Sequence, residues 1–180
     1  MGNINDFYYR ILNIGNSDID IIDVINRVIS DFSVEYGINL DLVGLCKVAS
    51  RVMNDKFKEF GVESIVVNTK NLYGFYEHEV VLVRSVVDNK LSYYLIDLTF
   101  KQFFNNGEVL RAFFNEYPTD KLMKYGKEEL MFHNDLLKYG YSKVDSGLIS
   151  SYFSCFSNSD DKIEIVDIDR FFTGVRINRL

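Results

Sequence analysis

Two apolar runs separated by a short polar break constrain this chain more than any other feature. HEVVLVRSVV covers 78–87, DNK follows, and LSYYLIDLTF covers 91–100. Val, Ile, Leu and Tyr dominate both runs, and such runs bounded by Asp and Asn read as strands joined by a hairpin. Side chains alternate between faces along a strand, so His78, Val80 and Leu82 share one face of the first run. Leu91, Tyr93, Leu95 and Asp97 share one face of the second. A turn centred on Asp88, Asn89 and Lys90 pairs the outer end of one strand with the outer end of the other. That geometry brings His78 and Asp97 toward the same end of the sheet. It also raises a question of energetics, because a carboxylate at the end of so apolar a strand is costly to bury unless it is paired and hydrogen-bonded.

Helices precede and follow the hairpin. Over 18–36, Ile21, Ile22, Ile25, Val28, Ile29 and Phe32 recur at helical spacing, with Asp18 or Asp20 as the N-cap. Over 44–61, Leu45, Ala49, Val52, Met53, Phe57 and Phe60 form an apolar stripe that Gly61 stops. ESIVVNT, 63–69, reads as a strand. KEELMFHNDLLKYGY reads as a helix with Leu130, Met131, Leu136 and Leu137 apolar and Gly140 as its stop. SGLISSYFSCF reads as a further helix, and DKIEIVDI as a short strand with Ile163, Ile165 and, beyond them, Ile168 as its apolar positions. The order predicts an α+β fold, with helices packed on one side of an antiparallel sheet. The 180 residues contain no repeat, low-complexity segment or Pro/Gly-rich linker, so 1–180 is read as a single domain.

Composition excludes several classes of function. The net charge is −6, and no run of four or more Lys or Arg occurs, which argues against a dedicated nucleic-acid binder. No apolar stretch approaches the length of a membrane span, and the N-terminus has no basic segment followed by an apolar one. The expected location is the cytoplasm, or a site reached by a route independent of a signal peptide. Two cysteines, Cys46 and Cys155, are too few for a disulfide framework. Two histidines and two cysteines are a poor basis for a metal centre, and no phosphate-binding glycine loop occurs, so no cofactor is expected. His133 lies on a helix with an apolar stripe of its own and reads as structural or surface, and Cys155 reads as core.

Three residues stand where chemistry could use them. Cys46 opens a helix, where the macrodipole and free N–H groups favour a thiolate. His78 opens a strand and could supply an imidazolium beside it. Asp97 ends the partner strand and could hold the other ring nitrogen, fixing the tautomer and stabilising the positive ring. Each has a plainer reading: a small buried hydrophobe for Cys46, a surface residue for His78, a turn cap for Asp97. The three together, in this order, favour a Cys-His-Asp triad.

The same words of sequence resemble a family. GLCKVAS, HEVVLV and YLIDLTFKQF, within Leu42 to Phe104, resemble the nucleophile helix, the His strand and the Asp segment of papain-like cysteine hydrolases of transglutaminase-like core. The likeness extends to bacterial papain-like toxin and effector domains, in which an Asp-x-Thr-x-x-Gln-Phe pattern is familiar. The resemblance implies a papain-like core with Cys46 as nucleophile, His78 as general base and Asp97 as orienter. It places Thr99 and Gln102 behind Asp97, Thr99 as a donor to its carboxylate or to the turn backbone, and Gln102 as a supporting or a purely structural residue. Thr99 and Gln102 match the pattern, but no Gln precedes Cys46, no Trp follows it, and Glu79 stands where the family often has an aromatic.

The implied function is a cysteine-dependent hydrolase or acyl-transfer enzyme, a protease, glutamine deamidase or transglutaminase-like protein, acting on an amide in a protein or peptide substrate. The competing reading is a non-catalytic protein-binding module, an adaptor or immunity-type partner, on the same fold. The 12 Tyr and 15 Phe suit an interface, and the acidic balance suits a basic partner. Oligomeric state is left open.

Overall fold

The computed structural model describes residues 20–36, 45–69, 77–87, 90–100, 127–154, 156 and 163–173. In chain order these form α1 (Ile21–Tyr36), α2 (Cys46–Glu59), β1 (Glu63–Asn68), β2 (Glu79–Val87), β3 (Lys90–Ile96), α3 (Lys127–Tyr139), β4 (Tyr141–Val144), α4 (Ser146–Ser154) and α5 (Asp169–Phe172). The class is α+β. The sheet has the order β1-β2-β3-β4, and every neighbouring pair is antiparallel.

The hairpin forms, but Lys90, read as part of the turn, is the first residue of β3 and pairs with Val87, which sets Val81 opposite Ile96. Helices do not pack on one side alone, however. Val81, Val83, Tyr94 and Ile96 meet Ile25, Val28 and Phe32 of α1 and Ala49, Met53 and Phe57 of α2. Val80, Leu82 and Leu95 face the other way, into Phe132 and Leu136 of α3, Ile149, Tyr152 and Phe153 of α4, and Ile163, Ile165 and Ile168. The reason lies in the unbroken run Val80–Val83, all four residues of which are fully buried. A strand with one wet face alternates apolar and polar, whereas one covered on both faces reads as continuous apolar sequence. Each such side chain contributes about 1.5–3 kcal/mol when buried, so leaving one face uncovered would forfeit half of that stabilisation.

Local signals set the ends of the helices. The N–H of Ile22 donates to Asp20 Oδ1 at 2.9 Å, which makes Asp20 the cap of α1. Gly61 follows α2 with φ 71°, and Gly140 follows α3 with φ 75°, both in the left-handed region that glycine enters without strain. In α3 Leu136 and Leu137 face the core as expected, but Met131 is exposed and Phe132 turns inward in its place.

Two elements differ from expectation. Beyond Gly140 the chain does not merely stop a helix. Tyr141–Val144 forms β4, pairing with β3 from Ile96↔Tyr141 to Tyr93↔Val144. The run YSKV is short and half polar, which hid it. Conversely, 163–168 is not a strand, although Ile163 and Ile165 are buried as alternation requires; Ile168, out of phase with them, is buried as well. Its N–H groups find helix side chains instead: Ile163 donates to Ser154 Oγ at 2.9 Å and Ile165 to Ser150 Oγ at 2.8 Å. Serines one turn apart on α4 thus do what a neighbouring strand would do. Among the described residues no helix is long and apolar enough to cross a membrane.

Candidate active site

Cys46 is the first residue of α2, after Leu45, which is half-exposed rather than part of the buried stripe and caps the helix with no side-chain bond. The first N–H groups of a helix have no intrahelical acceptor, so the Cys46 N–H lies where a developing anion could use it. What aims the thiol is the end of β2. His78 N–H donates to Thr69 Oγ1 and its carbonyl accepts from Thr69 N–H, each at 2.9 Å, so the peptide groups of His78 face the β1 side. Those of Glu79 face the opposite edge, where β3 has already ended, because its pairing with β2 starts at Val81. Helix α2 fills the vacancy. Ser50 Oγ donates to the Glu79 carbonyl at 2.7 Å, and the Glu79 N–H donates to the Cys46 sulfur. Cys46 and Ser50 are one helical turn apart and share a face, so two bonds to one residue set the position of the thiol along β2.

His78 and Asp97 lie on the sheet face covered by α4, at the same end, and both are buried. His78 Nε2 donates to Asp97 Oδ2 at 2.8 Å. The imidazole also hydrogen-bonds the Cys46 thiol, and with Nε2 engaged by Asp97 it is Nδ1 that faces the sulfur. Phe156 stacks on the ring with centroids 5.0 Å apart and planes at 20°.

Asp97 is fixed from every side. Its N–H donates to the Gly140 carbonyl at 2.8 Å, which ties the end of β3 to the α3–β4 corner. Oδ1 accepts from Thr99 twice, from N–H at 3.0 Å and from Oγ1 at 2.8 Å. Oδ2 accepts from His78 and also from the Tyr152 hydroxyl, at 2.7 Å. The carboxylate is therefore both a partner for His78 and an Asx-type cap of the turn that follows.

The electrostatics are mutually consistent. Burial pushes the Asp97 carboxyl up, but the His78 charge and the bonds from His78, Tyr152 and Thr99 outweigh it, and the group lies below the usual carboxylate range. Burial pushes His78 down, while the Asp97 charge and hydrogen bonds with Asp97 and Cys46 push it up, to about 9. Burial raises the Cys46 thiol; the hydrogen bond and charge of His78 and the Glu79 N–H bring it down below the ordinary thiol value. The arrangement favours a thiolate, an imidazolium and a carboxylate in series.

A polar rim borders the site. Lys47 pairs with Glu77 at 2.8 Å, Asn68 Nδ2 bonds both Glu77 and Glu79, and Arg51 reaches Glu79 at 3.3 Å. The exposed Lys47–Glu77 pair adds little stability. Glu79 is buried, and among the described residues its Oε2 has no hydrogen-bond partner.

Cys46, His78, Asp97 and Thr99 are thus brought together. Gln102 and Cys155 lie outside the described residues, as does the side chain of His133. Sequence reasoning missed Ser50, Tyr152 and Phe156. Ser50 carried a signal, since it follows Cys46 by one turn on the same face. Tyr152 carried none, because it reaches Asp97 across 55 positions of chain. Among the described residues no cluster of His, Cys, Asp and Glu could hold a metal ion. Matching the chain against protein-family models, curated proteins and solved structures finds no similar family, protein or structure.

Proposed function

We propose that this protein is a cysteine hydrolase or acyl-transfer enzyme with a papain-like, transglutaminase-like core, acting on an amide in a protein or peptide. One observation carries the reading: a buried imidazole holds Asp97 at 2.8 Å on Nε2 while its other nitrogen meets a thiol at a helix N-terminus. A structural cysteine has no need of such a partner, and a structural histidine has no need of so well-fixed a carboxylate.

The chemistry follows from the geometry. The Cys46 thiolate attacks the amide carbon, and the carbonyl π electrons move onto oxygen. The Cys46 N–H is one donor to that oxyanion. As the C–N bond breaks, the imidazolium of His78 gives its Nδ1 proton to the departing nitrogen, leaving a thioester and a neutral imidazole. Water or an amine then attacks the thioester, His78 takes the proton, and the thiolate leaves. Asp97 stays ionised throughout and holds the ring. Peptide hydrolysis, glutamine deamidation and transfer to an amine share these steps and differ in the leaving nitrogen and the second nucleophile. A free thiolate needs a reducing compartment, and we infer a cytoplasm, that of the producing cell or of one into which the protein is delivered.

The test is the rate of alkylation by iodoacetamide against pH, read separately for Cys46 and Cys155 by peptide mass spectrometry. Cys46 should react well below the pH at which an ordinary thiol ionises, and His78→Ala should abolish that behaviour. If Cys46 titrates as an ordinary thiol in both proteins, the enzyme reading fails and the binding-module reading takes its place.

A further inference from the structure

Asp97 divides its two oxygens between two tasks. Among the described residues Oδ1 is held by Thr99, through N–H and hydroxyl, and these bonds fix how the carboxylate is turned. Oδ2 is shared: His78 Nε2 donates at 2.8 Å and the Tyr152 hydroxyl at 2.7 Å. Tyr152 is fully buried on α4, among the rings of Phe100, Phe132, Phe153 and Phe156. A phenol so enclosed donates with a fixed geometry and with little competition from water.

We infer that Tyr152 is a positioning residue that acts on His78 through Asp97, its hydroxyl setting how tightly the dyad holds its proton by competing for the oxygen that the imidazole uses. The inference rests on the cysteine-enzyme reading for its purpose but not for its physics. A donor to a carboxylate draws charge toward itself, and the charge left to stabilise the imidazolium is smaller. Among the described residues, Asp97 and Cys46 are the charged and titratable groups that act most on the imidazole, and His78 and Tyr152 those that act most on the carboxylate.

The catalytic cycle needs such moderation. In the first half, His78 must carry a proton to give to the leaving nitrogen. In the second, the neutral ring must take one from water or an amine. Without the Tyr152 donor, Oδ2 would keep more of its negative charge for the His78 N–H and would favour the imidazolium too strongly for the second half. Tyr152 takes part of that charge, while Thr99 keeps the carboxylate in place.

The test follows the His78 ring directly, by NMR of the labelled imidazole in a chain carrying Cys46→Ala, so that the thiol does not titrate alongside it. The chain has two histidines, and His133→Asn assigns the signals. Tyr152→Phe removes only the hydroxyl and should raise the midpoint of the His78 titration by about half a pH unit or more, the scale of one hydrogen bond to a charged group. Site-specific 3-fluorotyrosine at position 152, a stronger donor of nearly the same shape, should lower it. A midpoint that falls with Phe shows that Tyr152 serves only to keep Asp97 in place, and one that moves with neither variant shows that the hydroxyl does not reach the dyad; either result overturns the inference. Because Cys46 is absent here, failure leaves the alkylation result for the wild-type chain standing, and an inert Cys46 there leaves this titration readable.

Discussion

The Ser50 hydroxyl donates to the Glu79 carbonyl at 2.7 Å, one helical turn from the thiol that accepts from the same residue's N–H. The helix thereby completes a strand edge that β3 leaves open, and the thiol is aimed by a contact outside the triad. Ser50→Ala leaves a buried carbonyl without its donor and should cost about 1–3 kcal/mol of stability. Urea unfolding reads that loss. The same variant should move the pH at which Cys46 becomes reactive upward, toward an ordinary thiol, because α2 is no longer held in register on β2. Unchanged Cys46 reactivity in a destabilised protein would confine Ser50 to a packing role.

Asp97→Asn keeps an acceptor oxygen for Thr99 but removes the charge that raises His78. Burial alone pushes the imidazole down, so His78 should fall from about 9 to its ordinary value or lower. At neutral pH the imidazolium is then lost, and with it the low thiol value of Cys46. The expected outcome is an alkylation profile for Cys46 displaced upward by one pH unit or more, roughly a tenfold or greater loss of rate near neutral pH. A profile superimposable on that of the wild type would mean that Asp97 does not govern the pair.

Much of this architecture is legible in the sequence because it is set by neighbours. The hairpin places His78 and Asp97 at one end of the sheet through two-residue alternation, and Asp20, Gly61 and Gly140 mark helix ends through local chemistry. What is not legible depends on partners far along the chain. The sheet's second cover consists of α3, α4 and 163–168, whose apolar positions look like those of any surface helix. The segment 163–168 shows the limit most plainly: Ile163 and Ile165 alternate as a strand does, yet their N–H groups pair with Ser154 and Ser150 on a helix. Alternation reports burial, not the identity of the hydrogen-bond partner. Tyr152 is the same case within the site, since nothing near it in sequence points to Asp97.

Stability should depend on pH through the same residues, with opposite signs. His78 is raised when folded, so its contribution is full below pH 6.5, the ordinary imidazole value, and is lost as pH rises toward about 9. Cys46 is lowered when folded, so its contribution grows as pH rises from its folded value toward 9.0. The two partly cancel in the wild type. In Cys46→Ala the His78 contribution stands alone, and the unfolding free energy from chemical denaturation should fall steadily above pH 6.5, by an amount on the order of a few kcal/mol in total. Asp97 is lowered, so its share is lost as pH falls below its unfolded value near 3.8. A flat stability profile between pH 6.5 and 9 in Cys46→Ala would contradict a buried imidazolium.

Gly140 joins the fold to the site. Its carbonyl accepts the Asp97 N–H at 2.8 Å, and its φ of 75° lies where a side chain is strained. A Cβ there would stand 2.5 Å from Leu98 Cδ2, the outer end of a side chain on the turn that Asp97 begins. Gly140→Ala therefore meets two separable penalties. The steric one falls on Leu98 and should be relieved by Leu98→Ala; the backbone one, about 1 kcal/mol or more, should remain. Thermal unfolding of the two single variants and the double variant separates them, because the steric penalty appears as a favourable coupling between the two substitutions. Any shift of Leu98 pulls on the turn that positions the carboxylate. Gly140→Ala should therefore also slow alkylation of Cys46 near neutral pH, and the double variant should recover part of that rate. Strict additivity of the two substitutions in both readouts would show that the α3–β4 corner does not bear on Asp97.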